Sequence, residues 1–291
     1  MTAAGNAYGR GLAGGRGDRA LKIGVGLAVA LVVFAFGWLL FDIVGHGLGG
    51  VSWAFLTDVP ASSGRSGGIG PILISTLLIL AVCLAAALPV GLATAILLAE
   101  HTDAEAGFGR LVRRSLDILA GVPSIVFGLF GNALFCIYLG MGFSILSGGL
   151  TLACMVLPIF IREAEEGFRA VPRDLRLAAA ALGFTRARAL VSIVLPAAMP
   201  GIVVGLVLGI GRALAETAAL IFTSGYVDRM PESLYDSGRS LSIHIYDLSM
   251  NVAGGEPAAY STALVLVTLL LCINGSASWM ADHWQRRRAS P

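Results

Sequence analysis

Pro196-AAMPGIVVGLVLGIGRALAETAAL-Ile221 reads as a membrane-spanning helix that carries two charges, Arg212 and Glu216. It exceeds the roughly 20 apolar residues needed to cross about 30 Å of hydrocarbon. An arginine near the middle of such a helix costs about 2.5–3.5 kcal/mol on insertion scales, and intramembrane charges mark ion and substrate paths or pair with one another. A spacing of four residues puts the guanidinium and the carboxylate on one helix face, where they can partly neutralise each other. One reading is a structural pair that locks this helix to a neighbour. The other is a cation placed to meet an anionic substrate, with the carboxylate tuning or releasing it. On the same stretch Gly201, Gly205, Gly209 and Ala213 form a ridge of small residues that permits close helix approach. Leu208, Arg212 and Glu216 form the adjacent stripe. Together they suit a helix at a subunit interface that lines a path.

The rest of the chain has the same apolar character. Of 291 residues, 56% are hydrophobic and 13% charged, and the mean hydropathy is +0.83. These values exclude an ordinary soluble domain and indicate a polytopic membrane protein. Further spans are expected at Lys22–Phe41, Pro71–Leu98, Ile118–Leu139, Ile145–Ile161 and Ala259–Ala281. The fold class is therefore all-α, with six transmembrane helices. Six spans put both termini and two inter-helix loops on one side, with sixteen Lys and Arg residues, among them Arg110, Arg113, Arg162, Arg173 and Arg286. The other side has Arg65, Arg229 and Arg239. By the positive-inside rule both termini face the cytoplasm.

Cys83, Cys136, Cys154 and Cys272 all fall in apolar spans, without metal-ligand spacing. His46, His101, His244 and His283 are scattered, so no metal site is expected. There is no G-x-x-x-x-G-K-[ST], so ATP-driven transport would need its ATPase on another chain. Glu163, Glu165 and Glu166 read as a solvated face at a helix exit. Leu111-VRRSLDIL-Ala120 is basic and amphipathic, which fits a helix lying on the inner surface and turning upward at Gly121-Val122-Pro123.

The segment Val171-PRDLRLAAAALGFTRARALVSIVL-Pro196 has dense local signals. Pro172 suits a helix start, and Asp174 in the first turn complements the dipole. The alanine-rich run through Leu182 favours helix, and Gly183 sits at the expected stop. Thr185 can cap a second short helix running to Val194, and Pro196 can begin the next span. The result is two short cytoplasmic helices joined by a tight turn. The small side chains of Ala178, Ala179 and Ala180 would let this unit seat in a partner's groove.

This spacing resembles the cytoplasmic loop of ABC importer permeases, E-A-A-x3-G-x9-I-x-L-P. Ala178, Ala179, Gly183, Ile193, Leu195 and Pro196 fall in register, and Leu177 replaces the glutamate. In that family the loop docks on the ATPase and transmits its closure. A narrower resemblance is carried by Gly121-VPSIVFGLF-Gly131, Leu88-PVGLATAILLAE-His101, Ile161-REAEEGFRAVPRDLRLAAAAL-Gly183 and Gly211-RALAE-Thr217. These are similar to permeases of the phosphate-specific transport system. Ser237-GRSLSIHIYDLSM-Asn251 favours its A-type subunit, PstA, over the C-type. The resemblance covers about residues 68–281.

The resemblance implies an importer of inorganic phosphate built from two permeases (this chain and a PstC-type partner), a PstB-type ATPase dimer and an extracytoplasmic PstS-type binding protein. ATP and Mg would be bound by the ATPase; no cofactor is expected in this chain, and no nucleic acid partner. The family's intramembrane arginine and glutamate fall on Arg212 and Glu216, and Thr217 is assigned to the same candidate pathway. The expected organisation is a disordered tail over 1–20, a first transmembrane helix over 21–43, a permease core over 68–284 with its coupling loop at 171–196, and a basic tail over 285–291. Rival readings are a permease for sulfate or molybdate, or a secondary transporter using Glu216 as a proton relay. A docking loop argues against the second, since such a carrier needs no ATPase contact. A membrane-embedded hydrolase lacks a nucleophile–base grouping.

Overall fold

The computed structural model describes residues 16–102 and 107–289. Helix α1 (Arg16–Gly47) leads into a short helix α2 (Trp53–Thr57), started by the Ser52 hydroxyl accepting from Phe55 N–H at 3.1 Å. A hairpin follows, with strands β1 (Pro60–Ala61) and β2 (Ser66–Gly67) antiparallel and Pro60 opposite Gly67. Then come α3 (Gly70–Glu100), α4 (Gly107–Ala120) and α5 (Ser124–Gly131), which widens into a π-helical stretch over Asn132–Tyr138. Next are α6 (Ile145–Ala170), α7 (Arg173–Ala181), α8 (Arg186–Ala189), a π-helical stretch over Leu190–Val194 and α9 (Leu195–Ala215). The chain ends with α10 (Ala218–Ile221), α11 (Leu241–Met250) and α12 (Glu256–Ala289).

Among the described residues, five stretches are long and apolar enough to cross a membrane: Leu21–Gly50, Gly70–Glu100, Ile145–Ala170, Arg186–Ala215 and Glu256–Trp279. The expected third span differs. It is a bent pair, Gly107–Ala120 and Ser124–Tyr138, with a 100° angle between them. The elbow lies at Gly121-Val122-Pro123, as the sequence suggested, and the apolar limb begins at Ser124 rather than Ile118. Pro123 causes this: its extended backbone (φ −57°, ψ 140°) ends α4, and its ring cannot donate into a continuing helix.

The core is centred on α6, which packs most extensively against α3 on one side and α9 on the other. Ile79, Cys83, Leu152, Met155, Phe160, Ile210 and Leu214 are all buried there. Contact between α6 and α9 is backbone to backbone. A methyl group on Gly201 would sit 2.4 Å from Gly167 Cα, so neither position tolerates a side chain without parting the helices. Gly205 meets Phe160 and Gly209 meets Val156 in the same groove. The small-residue ridge of α9 therefore packs inside this chain, not at a subunit interface. Its neighbouring stripe, through Val204 and Leu208, is the exposed one.

Helix α1 packs along its end against the start of α12. Tyr260 donates to Asp42 Oδ2 at 2.9 Å, and Ser261 donates to the Gly47 carbonyl at 3.1 Å. Helical structure already holds at Arg16 and continues to Ala289, so it enters both segments expected as tails; residues 1–15, 290 and 291 lie outside the described residues.

Candidate functional site

Arg212 lies in the last turn of α9, and the helix ends three residues later. Glu216 is extended (φ −76°, ψ 127°), and α10 restarts after Thr217. The expected single helix through Ile221 is therefore broken at Glu216–Thr217, and the i, i+4 pairing goes with it. Among the described residues no hydrogen bond or ion pair joins Arg212 to Glu216. The carboxylate instead turns to α10, where Oε1 accepts from Ala219 N–H at 3.1 Å. Thr217 sits at the start of α10, its hydroxyl making no cap, and its carbonyl accepts from Ile221 N–H at 3.0 Å.

The break is held from outside. Ser242, in the first turn of α11, donates to the Glu216 carbonyl at 2.6 Å, and Thr76 of α3 accepts from Leu241 N–H at 2.9 Å. Ser240 and Ser242 share a 2.8 Å hydrogen bond. Ser242 thus satisfies a carbonyl that the broken helix leaves open, and Thr76 satisfies an N–H at the start of α11, which carries Ser242. They were not legible as site residues, because a lone serine or threonine carries no such signal.

Arg212 is half-buried, its Nε has no solvent access, and that nitrogen has no hydrogen-bond partner among the described residues. It lies in the last turn of α9, where a cation gains about 0.3–1 kcal/mol from the carbonyl end of the helix. On the adjacent α12, Asn274 also carries a buried, unpartnered oxygen, and its Nδ2 lies 4.0 Å from where a side chain on Gly211 would begin. A guanidinium held at this depth with donors to spare can bind an anion in one or two hydrogen bonds.

The loop end has the expected helix–turn–helix. Pro172 precedes α7, Asp174 lies in its first turn, and Gly183 has φ +75°, a left-handed conformation open to glycine. Thr185 Oγ1 accepts from Arg188 N–H at 3.3 Å. Ala179 is the buried residue of α7, while Ala178 does not join it in the interior. The second helix does not stop at Val194. It runs through a π-helical stretch containing Ile193 and continues as α9 past Leu195 and Pro196. The wide turn accommodates the donor that Pro196 lacks.

Glu165 overturns the reading of a solvated acidic face. It is buried, and its Oε1 accepts from Arg113 Nε at 2.8 Å and Arg169 Nε at 2.7 Å. Arg162 pairs with Asp117 and, at 3.7 Å, with Glu166. These pairs line a cleft of about 360 Å³ between α4 and α6. An apolar groove of about 470 Å³, lined by Leu119, Phe130 and Ile161, runs beneath the elbow.

The chain matches the model of the binding-protein-dependent transport system inner membrane component family over residues 87–290. It belongs to that family. The binding-protein-dependent permease is 34% identical over 263 residues to the "Phosphate transport system permease protein PstA 1" of Mycobacterium tuberculosis strain H37Rv, covering 87% of this chain and 84% of the relative. It is 28% identical over 270 residues to the "Probable ABC transporter permease protein YqgI" of Bacillus subtilis strain 168, covering 88% and 92%. Its fold is shared with a bacterial alginate ABC transporter solved with an alginate-bound periplasmic protein, at TM-score 0.64, 15% identity and coverage of 94% and 96%. The permease is thus a multi-pass inner-membrane component of an ABC importer.

Proposed function

We propose that this permease carries inorganic phosphate into the cytoplasm, driven by ATP hydrolysed on a separate subunit pair. The observation that carries the proposal is Arg212: a guanidinium in an apolar helix, beside a helix break, with no hydrogen-bonded or ionic partner among the described residues. Such a cation screens a passing oxyanion. Glu216 caps α10 and leaves the guanidinium free for substrate, and Thr217 lies at the same break. The PstA relatives, at 30–34% identity, support phosphate as the anion.

The helix–turn–helix around Gly183 is the ATPase-docking element, on the cytoplasmic side with both termini. The bias of Lys and Arg supports this orientation. ATP and Mg are bound by a PstB-type ATPase dimer, a PstC-type permease completes the path, and a PstS-type binding protein delivers phosphate from outside.

The test is transport by the reconstituted complex in proteoliposomes with phosphate, sulfate and molybdate. Wild type is expected to take up phosphate with ATP, and Arg212→Gln to assemble normally but lose uptake at least tenfold. Preferential uptake of sulfate or molybdate would reassign the substrate. Wild-type phosphate uptake in Arg212→Gln would make the arginine structural.

A further inference from the structure

The basic residues at the loop end form two linked tiers that bind separate helices to one another. In the first, Arg176 in the middle of α7 donates from Nη2 to Glu100 Oε1 at 2.6 Å and from Nε to Oε2 at 3.4 Å. The same guanidinium donates to the carbonyls of Phe168 at 2.9 Å and Val171 at 2.6 Å, where α6 ends. In the second tier, Arg113 of α4 and Arg169 of α6 converge on Glu165 and also donate to the Leu98 carbonyl, at 3.3 and 2.8 Å. The last turn of α3 is therefore held by α7 through Glu100 and by α4 and α6 through Leu98.

These are not loose surface pairs. The side chains of Arg176 and Glu100 are 28% and 19% exposed. A forked arginine on a carboxylate fixes direction as well as distance, and partial burial limits screening. By contrast, the rest of α7 grips little: Leu175 and Leu177 are exposed, and Ala179 has a small contact face. Small apolar contacts resist separation but permit sliding. The two hydrogen bonds of one planar head group to Glu100, with two more to the end of α6, oppose it. Among the described residues, Arg176 makes the hydrogen-bonded tie between α7 and α3.

We propose that Arg176 is the positioning residue that converts displacement of α7 into displacement of α3 and α6, which the Leu98–Glu165 tier passes to the α4–α5 elbow. It rests on the ATPase coupling proposed above and does not depend on which anion is carried. A lysine would not substitute, because it presents a point charge in place of a fork spanning one carboxylate and two carbonyls.

The test uses the assembled complex with its ATPase in nanodiscs, in a cysteine-free background. Spin labels at Leu182, exposed beside the loop turn, and at Ile118, exposed on α4, are each paired with a label at Tyr235 and read by pulsed electron resonance. Adding ATP under non-hydrolysing conditions is expected to change both distances in wild type. In Arg176→Gln the Leu182 change should persist while the Ile118 change falls to less than a third. Glu100→Gln, which leaves the loop surface intact, should do the same, and it decides the matter if Arg176→Gln fails to assemble. A wild-type Ile118 response in Glu100→Gln overturns the relay. Loss of the Leu182 response in either single variant also overturns it, making the pair a seat for the loop. A wild-type complex in which neither distance responds to ATP overturns ATPase coupling, and the relay with it. If wild type responds but carries no phosphate, only the substrate assignment fails.

Discussion

Arg212 and Glu216 each sit at the helix end that suits their charge. The guanidinium lies by the carbonyl end of α9, and the carboxylate lies over the amide end of α10. The break therefore does electrostatically what a direct ion pair was expected to do, and it leaves both head groups separately held. Glu216→Ala removes the acceptor for Ala219 N–H and should destabilise the protein by about 0.5–2 kcal/mol, the usual range for a lost cap. Glu216→Gln keeps an acceptor there and should cost less. Thermal unfolding in detergent distinguishes them; equal losses would mean the charge matters and the cap does not. The presence of two charges in an apolar stretch was legible from the sequence alone. Their separation was not, because Ala-Glu-Thr contains no helix breaker. Ser242, which supports the break, lies 26 residues away along the chain.

Elements governed by local chemistry matched their sequence signals. The turn at Gly183 and the elbow at Pro123 each follow from one residue's backbone preference, and the cap at Thr185 from one side-chain hydroxyl. Elements governed by packing did not. The ridge on α9 was visible, but its partner, Gly167 on α6, was not, since spacing within one helix says nothing about what lies opposite. Glu165 was misjudged for the same reason: Arg169 stood four residues on in α6, but Arg113, which completes its burial, comes from α4. Helix α11 holds another packing-dependent group. His244 is buried, with Arg239 Nη1 3.3 Å from its Nδ1, and Asp247 and Asp228 nearby. Burial, with Arg239 adding to it, pushes the imidazole from its usual 6.5 down to about 4, against the opposing pull of the two aspartates. The unfolded chain then binds a proton that the folded chain refuses between those values. Stability is complete above about pH 6.5 and falls as pH drops toward 4. The apparent Tm of wild type should decline across that window, and that of His244→Asn should decline less. Parallel profiles would mean that His244 is not the titrating group.

At the scale of the whole molecule, the layout of spans was readable from hydropathy, and the bias of Lys and Arg predicts an orientation that labelling tests. A cysteine at Tyr235, exposed between α10 and α11, should react with an impermeant thiol reagent in intact cells. One at Leu182 should react only after permeabilisation. The reverse pattern would invert the protein and remove the docking reading of the Gly183 turn.

The uninterrupted passage from Arg186 to Ala215 makes α8 and α9 a single axle about 45 Å long, at 1.5 Å per residue. One end belongs to the loop that turns at Gly183 and the other carries Arg212. Torque applied at the first end reaches the second, less whatever the wide stretch at Leu190–Val194 takes up by overwinding. Because that stretch closes its turns at a longer period than the helix around it, residues on either side are out of phase. A helical wheel drawn straight through would aim Arg212 in the wrong direction. The compass bearing of the arginine is set at residues 190–194, about 30 Å from the guanidinium's own turn.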